Sequence, residues 1–239
     1  MLPIFLSELA QLFRNRSVLV TSFVMPIAVS AFFIYQHEVF SQLGSLGYIA
    51  AIVMFTVCAF GLYASSVTTL ASRRQNLFLK RLRSTAASDA GILAGLVLPA
   101  TAVALVQVVA IMAVLAAVTT TPDNLALLAL AVVTTVLMMV GLALATAGLT
   151  NSPEHAQVTT LPVSLGVIAA ASWVGITGTG ELTLLKRLLP GGAATELVVN
   201  AWTGGVPVAD SLVLLLPTLA WVVVAAVAAS RMFRWEPRR

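Results

Sequence analysis

The sequence has very few charged residues. Its 239 residues include 13 Lys+Arg and 9 Asp+Glu, which is 9% of the chain, whereas an average soluble domain is roughly a quarter charged. Hydrophobic residues make up 59% of the chain, and the mean hydropathy is +1.01. So few charges cannot cover a soluble globule of this size. The composition therefore excludes a soluble domain and predicts a protein that is solvated by lipid.

Cysteine is almost absent, and so are the usual catalytic pairings. The single Cys58 lies inside an apolar run, so we expect a small core residue and neither a disulfide within the chain nor a thiolate metal site. Acid and imidazole are adjacent only at His37-Glu38 and Glu154-His155. Neighbours on a helix point about 100° apart, and neither pair has a third ligand or a nucleophile at motif spacing. We predict no catalytic residue and no metal site.

The chain also lacks the loop that binds nucleotide phosphates. That loop reads GxxxxGK[ST], with a Lys that reaches the outer phosphate oxygens. Lys80 and Lys186 are the only lysines, and neither follows such a glycine loop. We therefore expect no cofactor in this chain and no ATP hydrolysis by it.

Six long apolar runs dominate the sequence. They cover residues 18–36, 47–70, 90–118, 125–149, 158–176 and 211–229. A membrane crossing needs about 20 apolar residues, and a helix satisfies its own backbone hydrogen bonds in lipid. The sequence predicts an all-α, polytopic membrane protein with six transmembrane helices in a single domain, residues 1–239. No Asp, Glu, Lys, Arg or His lies inside a run, so a proton- or sodium-coupled carrier is poorly supported.

Gln107 is the one strongly polar group in the middle of a run. It is our candidate for a residue of the substrate path. A hydrogen bond between helices is the alternative interpretation.

Basic residues indicate the orientation of the chain. With six crossings, 11 of the 13 Lys and Arg fall on one side, and only Lys186 and Arg187 fall on the other. Basic residues near crossings favour the cytoplasmic side. We expect both termini and the loop of residues 71–89 to be cytoplasmic, and residues 177–210 to form an outer loop.

Two basic segments outside the runs have an amphipathic pattern. Residues 2–16 have apolar side chains at helical spacing and end in Arg14-Asn15-Arg16, which is typical of a helix lying on the membrane surface. In residues 73–83, orientation explains the charge but not the apolar insertions, so we expect a docking helix for another protein's groove. Its apolar face is formed by Leu77, Phe78, Leu79 and Leu82. The residues around that face are Arg74, Lys80, Arg81 and Arg83. We expect Phe78 and Leu82 to be the anchors in the groove.

With these features the chain resembles the membrane subunit of ATP-binding-cassette exporters of the ABC-2 class. In that family an amphipathic elbow helix precedes six crossings, and the loop between crossings two and three carries a coupling helix that reads roughly R-E-x-G-x-L-x-R-L-R-x-T-P. The residues that match this motif are Arg74, Leu79, Arg81, Leu82, Arg83 and Thr85. The residues that depart from it are Gln75, Leu77 and Ala86, where Glu, Gly and Pro are usual. Leu189-Pro190 resembles the start of the family's outer segment.

The resemblance implies a permease subunit that works with separate cytoplasmic ATPase subunits, which hold ATP-Mg, and with a second permease as a homo- or heterodimer. The implied location is a bacterial cell membrane, in contact with lipid and without nucleic acid. The implied cargo is an amphipathic drug-like molecule or a lipid. The residues expected to couple to the ATPase are Arg73, Arg74, Phe78, Leu79, Lys80, Arg81, Leu82 and Arg83. The alternatives are a membrane scaffold or assembly subunit and a six-crossing secondary carrier.

Overall fold

The computed structural model describes residues 2–84, 88–233 and 235. Those residues form helices and short connections, and no strand occurs among them. Thr85 and Ala86 of the motif lie outside the described residues, as do three arginines of the C-terminal basic cluster, Arg234, Arg238 and Arg239.

Eleven helices follow one another in the described part of the chain. The first four are α1 (Leu2–Arg14), α2 (Arg16–Leu19, Val20–Val24 and Met25–Tyr35), α3 (His37–Leu43) and α4 (Leu46–Gln75). The next four are α5 (Phe78–Arg83), α6 (Asp89–Val118), α7 (Leu125–Leu149) and α8 (Pro153–Thr177). The last three are α9 (Thr183–Leu188), α10 (Gly192–Thr203) and α11 (Val208–Met232).

Five of these helices, α4, α6, α7, α8 and α11, are long and apolar enough to cross a membrane. A sixth span arises if Val20–Tyr35 of α2 is joined with α3, although the two are bent by 79° at Gln36. The prediction of an all-α polytopic protein is confirmed. The predicted crossings lie on α2, α4, α6, α7, α8 and α11.

Helix α4 is the centre of the bundle. Its most apolar stretch is 89% buried, and it packs against α2, α6, α7, α8 and α10. A helix that is apolar on all sides can face either other helices or lipid, and α4 faces other helices. Between α7 and α11, small residues allow a close approach: a Cβ atom at Gly141 would lie 2.8 Å from the Cβ atom of Ala225.

Two stretches of π-helix widen the backbone where α2 and α4 meet. They are Val20–Val24 in α2 and Val57–Ala64 in α4. The hydroxyls of Ser22 and Ser65 share a hydrogen bond across this contact. Such π-turns are rare and occur frequently at functional sites.

The polar ends of the bundle differ. Helices α1 and α5 and the C-terminal end of α11 lie together on one side, which we call the basic side. On the opposite side the connection from α8 to α11 contains the short helices α9 and α10, and α10 packs inward against α4 and α7.

Candidate coupling helix and basic-side cleft

Helix α5 begins after a sharp turn at the end of α4. Leu77 has φ +55° and ψ +16°, in the left-handed region, which costs a residue with a Cβ atom roughly 1–2 kcal/mol. This turn directs α5 away from the axis of α4, and Arg81 closes it by donating from Nη2 to the carbonyl of Asn76 at 3.2 Å. The motif that the sequence resembles has Gly at position 77, the residue for which this conformation carries no steric penalty.

The apolar side of α5 packs into the bundle. Leu79 is completely buried. The cluster to which it belongs consists of Leu70, Leu79, Ile92, Leu96, Val97 and Ala147. The side chains that pack against this cluster from outside include Ile4, Leu82, Phe233 and Trp235. Helix α5 therefore contacts, through one cluster, residues of α1, α4, α6, α7 and the segment after α11.

Arg73 connects this region to the amino-terminal helix. Its guanidinium donates from Nε and Nη2 to the two carboxylate oxygens of Glu8 at 2.8 and 2.9 Å, and also to Oε1 of Gln11. The same guanidinium lies 5.3 Å from the ring centre of Phe78. A bidentate ion pair of this kind fixes orientation as well as distance, so α1, α4 and α5 are held together at one residue.

Arg74 has a different surrounding. The amphipathic pattern placed Arg74 around the apolar face of the docking segment, and the structure buries it, with 3% of the residue exposed. Its Nη2 donates to the carbonyl of Ala147 at 2.8 Å and to that of Thr150. These carbonyls belong to the C-terminal end of α7, where a cation is favoured by the helix dipole. Arg74 thus caps the C-terminal end of α7, which lies more than 70 positions later in the sequence.

The outward surface of α5 includes three of the predicted coupling residues, Lys80, Arg81 and Arg83, next to Leu77 in the turn before the helix. Leu77 is 49% exposed, and Lys80 and Arg81 are exposed beside it. Arg83 is exposed as well, pairs with Asp89 at 3.0 Å and lies 4.8 Å from the ring centre of Trp235. Phe78 and Leu82, the two expected anchors, are each partly buried.

Sequence reasoning missed two residues of this region, Glu8 and Gln11. Glu8 is 4% exposed although it is a charged residue on the amphipathic helix α1. It stands four residues before the buried Leu12 and hence on the same face. An acidic residue on the apolar face of an amphipathic helix was the signal that could have indicated a buried basic partner.

Gln107 lies on α6 against the π-helical turn of α4, and it is 7% exposed. A Cβ atom at Gly61 would lie 3.2 Å from Gln107 Oε1 and 3.3 Å from the carbonyl oxygen of Ser22. Glycine at this position is therefore what allows the amide to approach. Neither amide atom of Gln107 has a hydrogen-bond partner among the described residues. The structure brings Gln107 next to Ser22 and not to the coupling residues.

A cleft lies on the basic side between α2, α4 and α8, and we call it the basic-side cleft. It consists of two cavities of about 320 and 340 Å³ that share Val18, Thr68 and Pro153. The first cavity adjoins α1, and we call it the lower cavity. Its other lining residues are Glu8, Gln11, Leu12, Asn15, Thr69, Ser72, Arg73 and Glu154. The second cavity lies farther from α1, and we call it the upper cavity. Its other lining residues are Thr21, Phe60, Ala64, Ser65, Gln157, Thr160 and Leu161. The lower part is therefore mainly polar and the upper part more apolar.

The comparisons with known proteins agree with this architecture. Residues 25–230 match a family model described as ABC-2 family transporter protein. No curated protein and no solved structure matches the chain. The matched residues extend from α2 to near the end of α11, which is most of the chain. The chain belongs to the ABC-2 transporter family, whose members are multi-pass membrane components of transport systems that include ATP-binding-cassette subunits.

Proposed function

We propose that this chain is the permease subunit of an exporter, with its basic side facing the cytoplasm and a separate ATPase docked on α5. The observation that carries the proposal is the arrangement around α5. The short helix and the turn before it expose Leu77, Lys80 and Arg81, while Leu79 fixes the helix in a cluster shared with five other segments. A helix that is exposed on one side and anchored in the bundle on the other is suited to pass movement from a partner to the membrane helices.

The route of that movement follows from the ion pair and the helix cap. Displacement of α5 acts on Arg73 of α4 through Phe78, and α4 is joined to α1 through Arg73 and Glu8 and to α7 through Arg74. Because these contacts are charged and partly or fully buried, they resist stretching more than exposed pairs would. In this proposal ATP-Mg stays on the partner, and a second permease, identical or different, completes the path.

The basic-side cleft supports an amphipathic cargo. Its lower part offers polar side chains and its upper part offers Phe60, Ala64 and Leu161. A molecule with one polar end can be solvated along its whole length there, whereas a compact ion would meet the apolar upper half without a partner. The direction of transport, outward, rests on the family.

The docking proposal is tested by changing only the exposed side of α5. Leu77→Glu with Arg81→Glu places carboxylates on the outward surface. We expect at least a tenfold loss of ATPase affinity, since like charges and a lost apolar contact act together on a small interface. Affinity is measured by co-purification and by titration of the ATPase onto the permease in lipid nanodiscs. Ser84→Glu, exposed just beyond α5, is the matched control.

The partly buried pair supplies the second arm of this experiment. Phe78→Ala with Leu82→Ala weakens the packing of α5 against the bundle. We therefore expect ATP hydrolysis to continue while transport falls, in a permease that still inserts in the membrane. Normal ATPase binding by the Leu77 and Arg81 variant, together with normal transport by the Phe78 and Leu82 variant, would overturn the assignment of α5 as the coupling helix.

A further inference from the structure

The basic-side cleft has the length and polarity of one amphiphilic molecule. From Ser72 in its lower part to Phe60 in its upper part it follows 12 positions of α4, which is about 18 Å at the rise of an α-helix. This is more than half of the roughly 30 Å hydrocarbon core of a bilayer. The lower end of the cleft would match a polar group, and the rest of the cleft would match an apolar chain of that length.

The hydroxyls that line the cleft present acceptors. Thr68 donates its hydroxyl hydrogen to the carbonyl of Ala64 at 2.8 Å, and Thr160 donates to that of Ala156 at 2.7 Å. Ser65 donates to the carbonyl of Phe60 at 3.2 Å. Because the hydroxyl hydrogens of Thr68 and Thr160 are bound within their own helices, their oxygen lone pairs remain for a molecule in the cleft, whereas the Ser65 oxygen also shares a hydrogen bond with Ser22.

The charges of the lower cavity point to the same preference. It is lined by three charged side chains, Glu8, Arg73 and Glu154. Arg73 and Glu8 neutralise each other through two hydrogen bonds. Glu154 makes no ion pair with any other described residue and is fully exposed to solvent. The lower end of the cleft therefore carries one carboxylate that has no ion-pair partner among the described residues and that accepts a hydrogen bond from Ser152.

We propose that the basic-side cleft binds amphiphiles that carry a protonated amine, with the ammonium group among Glu154 and the threonine oxygens and the apolar chain beside Phe60 and Leu161. An ammonium group has three N–H donors and no acceptor. It is therefore complementary to the threonine oxygens and the Glu154 carboxylate, which are acceptors. A sulfate or phosphate head would face acceptors and a carboxylate. The inference rests on the proposed function in one respect only, that the bound amine is the cargo.

The test uses a reporter inside the cleft. Thr69→Cys, labelled with an environment-sensitive fluorophore, reports on the lower cavity, and the natural Cys58 is completely buried and stays unlabelled. The full chain is placed in nanodiscs of uncharged phosphatidylcholine. Dodecylammonium, dodecanol and dodecyl sulfate are then titrated, three probes with the same chain and different heads.

We expect the ammonium probe to act at the lowest concentration and the sulfate at the highest. Glu154→Gln should weaken the response to dodecylammonium about three- to fivefold, the range of one solvent-exposed charge pair, and leave dodecanol unchanged. Thr68→Val should weaken the ammonium response by a similar factor. Glu38→Gln, on α3 at the other side of the bundle, is the matched control.

Equal affinity for the ammonium and sulfate probes would overturn the proposal, and so would an unchanged ammonium response in Glu154→Gln. A third result that would overturn it is the same order of probes at a label on Val106→Cys, which is exposed on α6. The last result would mean partition into the bilayer only. No ATPase is present in the assay, so amine binding and coupling fail separately. If the chain binds the amine but does not respond to an ATPase, the amine site is supported and the exporter proposal is wrong.

Discussion

Basic residues are bound on both sides of the bundle, but over very different distances in sequence. On the basic side, Arg73 binds Glu8 across 65 positions, and Arg74 binds the carbonyl of Ala147 across 73. On the opposite side, Arg187 binds Glu196 across 9 positions, and Lys186 binds the hydroxyl of Thr177 across 9. The first set joins helices that are far apart in sequence, whereas the second set joins α9 to its neighbours in sequence, α8 and α10.

This difference separates two mechanical roles. Displacing the turn between α4 and α5 must change the contacts of α4 with α1 and α7, because Arg73 and Arg74 lie directly before that turn and bind residues of those helices. On the opposite side, Arg187, Glu196 and Thr179 form their hydrogen bonds within the segment of α9 and α10. We therefore expect the charged contacts of the basic side to transmit force between membrane helices, and those of the opposite side to stabilise the local segment.

The largest effect should follow from removing the buried cap. Arg74→Ala leaves the C-terminal carbonyls of α7 without their donor and opens a cavity, which we expect to lower the free energy of unfolding by about 3 kcal/mol. Thermal unfolding of the permease in detergent measures the loss. Arg81→Ala, exposed on the neighbouring helix, should change stability by less than about 0.5 kcal/mol. Equal losses for the two variants would contradict the role of Arg74 as a cap.

A smaller effect, and one visible in function, should follow from breaking the link between α1 and α4. A double-mutant cycle of Glu8→Ala and Arg73→Ala should give a coupling energy of about 1–2 kcal/mol, because Glu8 is buried and the pair is bidentate. In nanodiscs with the ATPase, either single variant should transport less per ATP hydrolysed. A coupling energy near zero would mean that α1 lies beside α4 without being energetically coupled to it.

The helical, membrane-spanning fold could be predicted from the sequence because it depends on local properties. The length of each apolar run and the absence of charges within it are sufficient for a helix in lipid. The bend at Gln36 and the π-turns at Val20–Val24 and Val57–Ala64 could not be predicted. Neither Pro nor Gly stands at position 36, and the widened turns depend on how α2 and α4 pack.

The candidate site shows the same limit at two adjacent residues. Arg73 and Arg74 have the same side chain and differ by one position, yet one lies beside α1 and the other caps α7. Their environments are set by partners more than 60 positions away, which no local pattern contains. The outward exposure of Lys80 and Arg81, in contrast, follows from the amphipathic period of the segment. Whether these residues couple to an ATPase stays a prediction.

The smallest effect should follow from breaking the ion pair of the opposite side. Arg187 donates to Glu196 at 2.7 and 2.6 Å, but its side chain is 37% exposed, so solvent reduces the strength of the pair. We expect Glu196→Gln to lower the free energy of unfolding by about 0.5 kcal/mol, and 1 M salt to remove most of the difference between the variants.

The pH dependence of this pair has a definite sign. The hydrogen bonds that Arg187 donates to the Glu196 carboxylate raise the pKa of the Arg187 guanidinium, so its stabilising effect is complete below the unfolded-state pKa and is lost only as the pH rises through the folded-state value. Both values lie far above neutrality, so the difference between wild type and Glu196→Gln should not change between about pH 7 and 9 through Arg187. A loss of stability as large as that of Arg74→Ala would mean that the opposite segment is held by more than its local contacts. A loss that disappears by about pH 9 would mean the same. In either case the distinction between the two sides would be wrong.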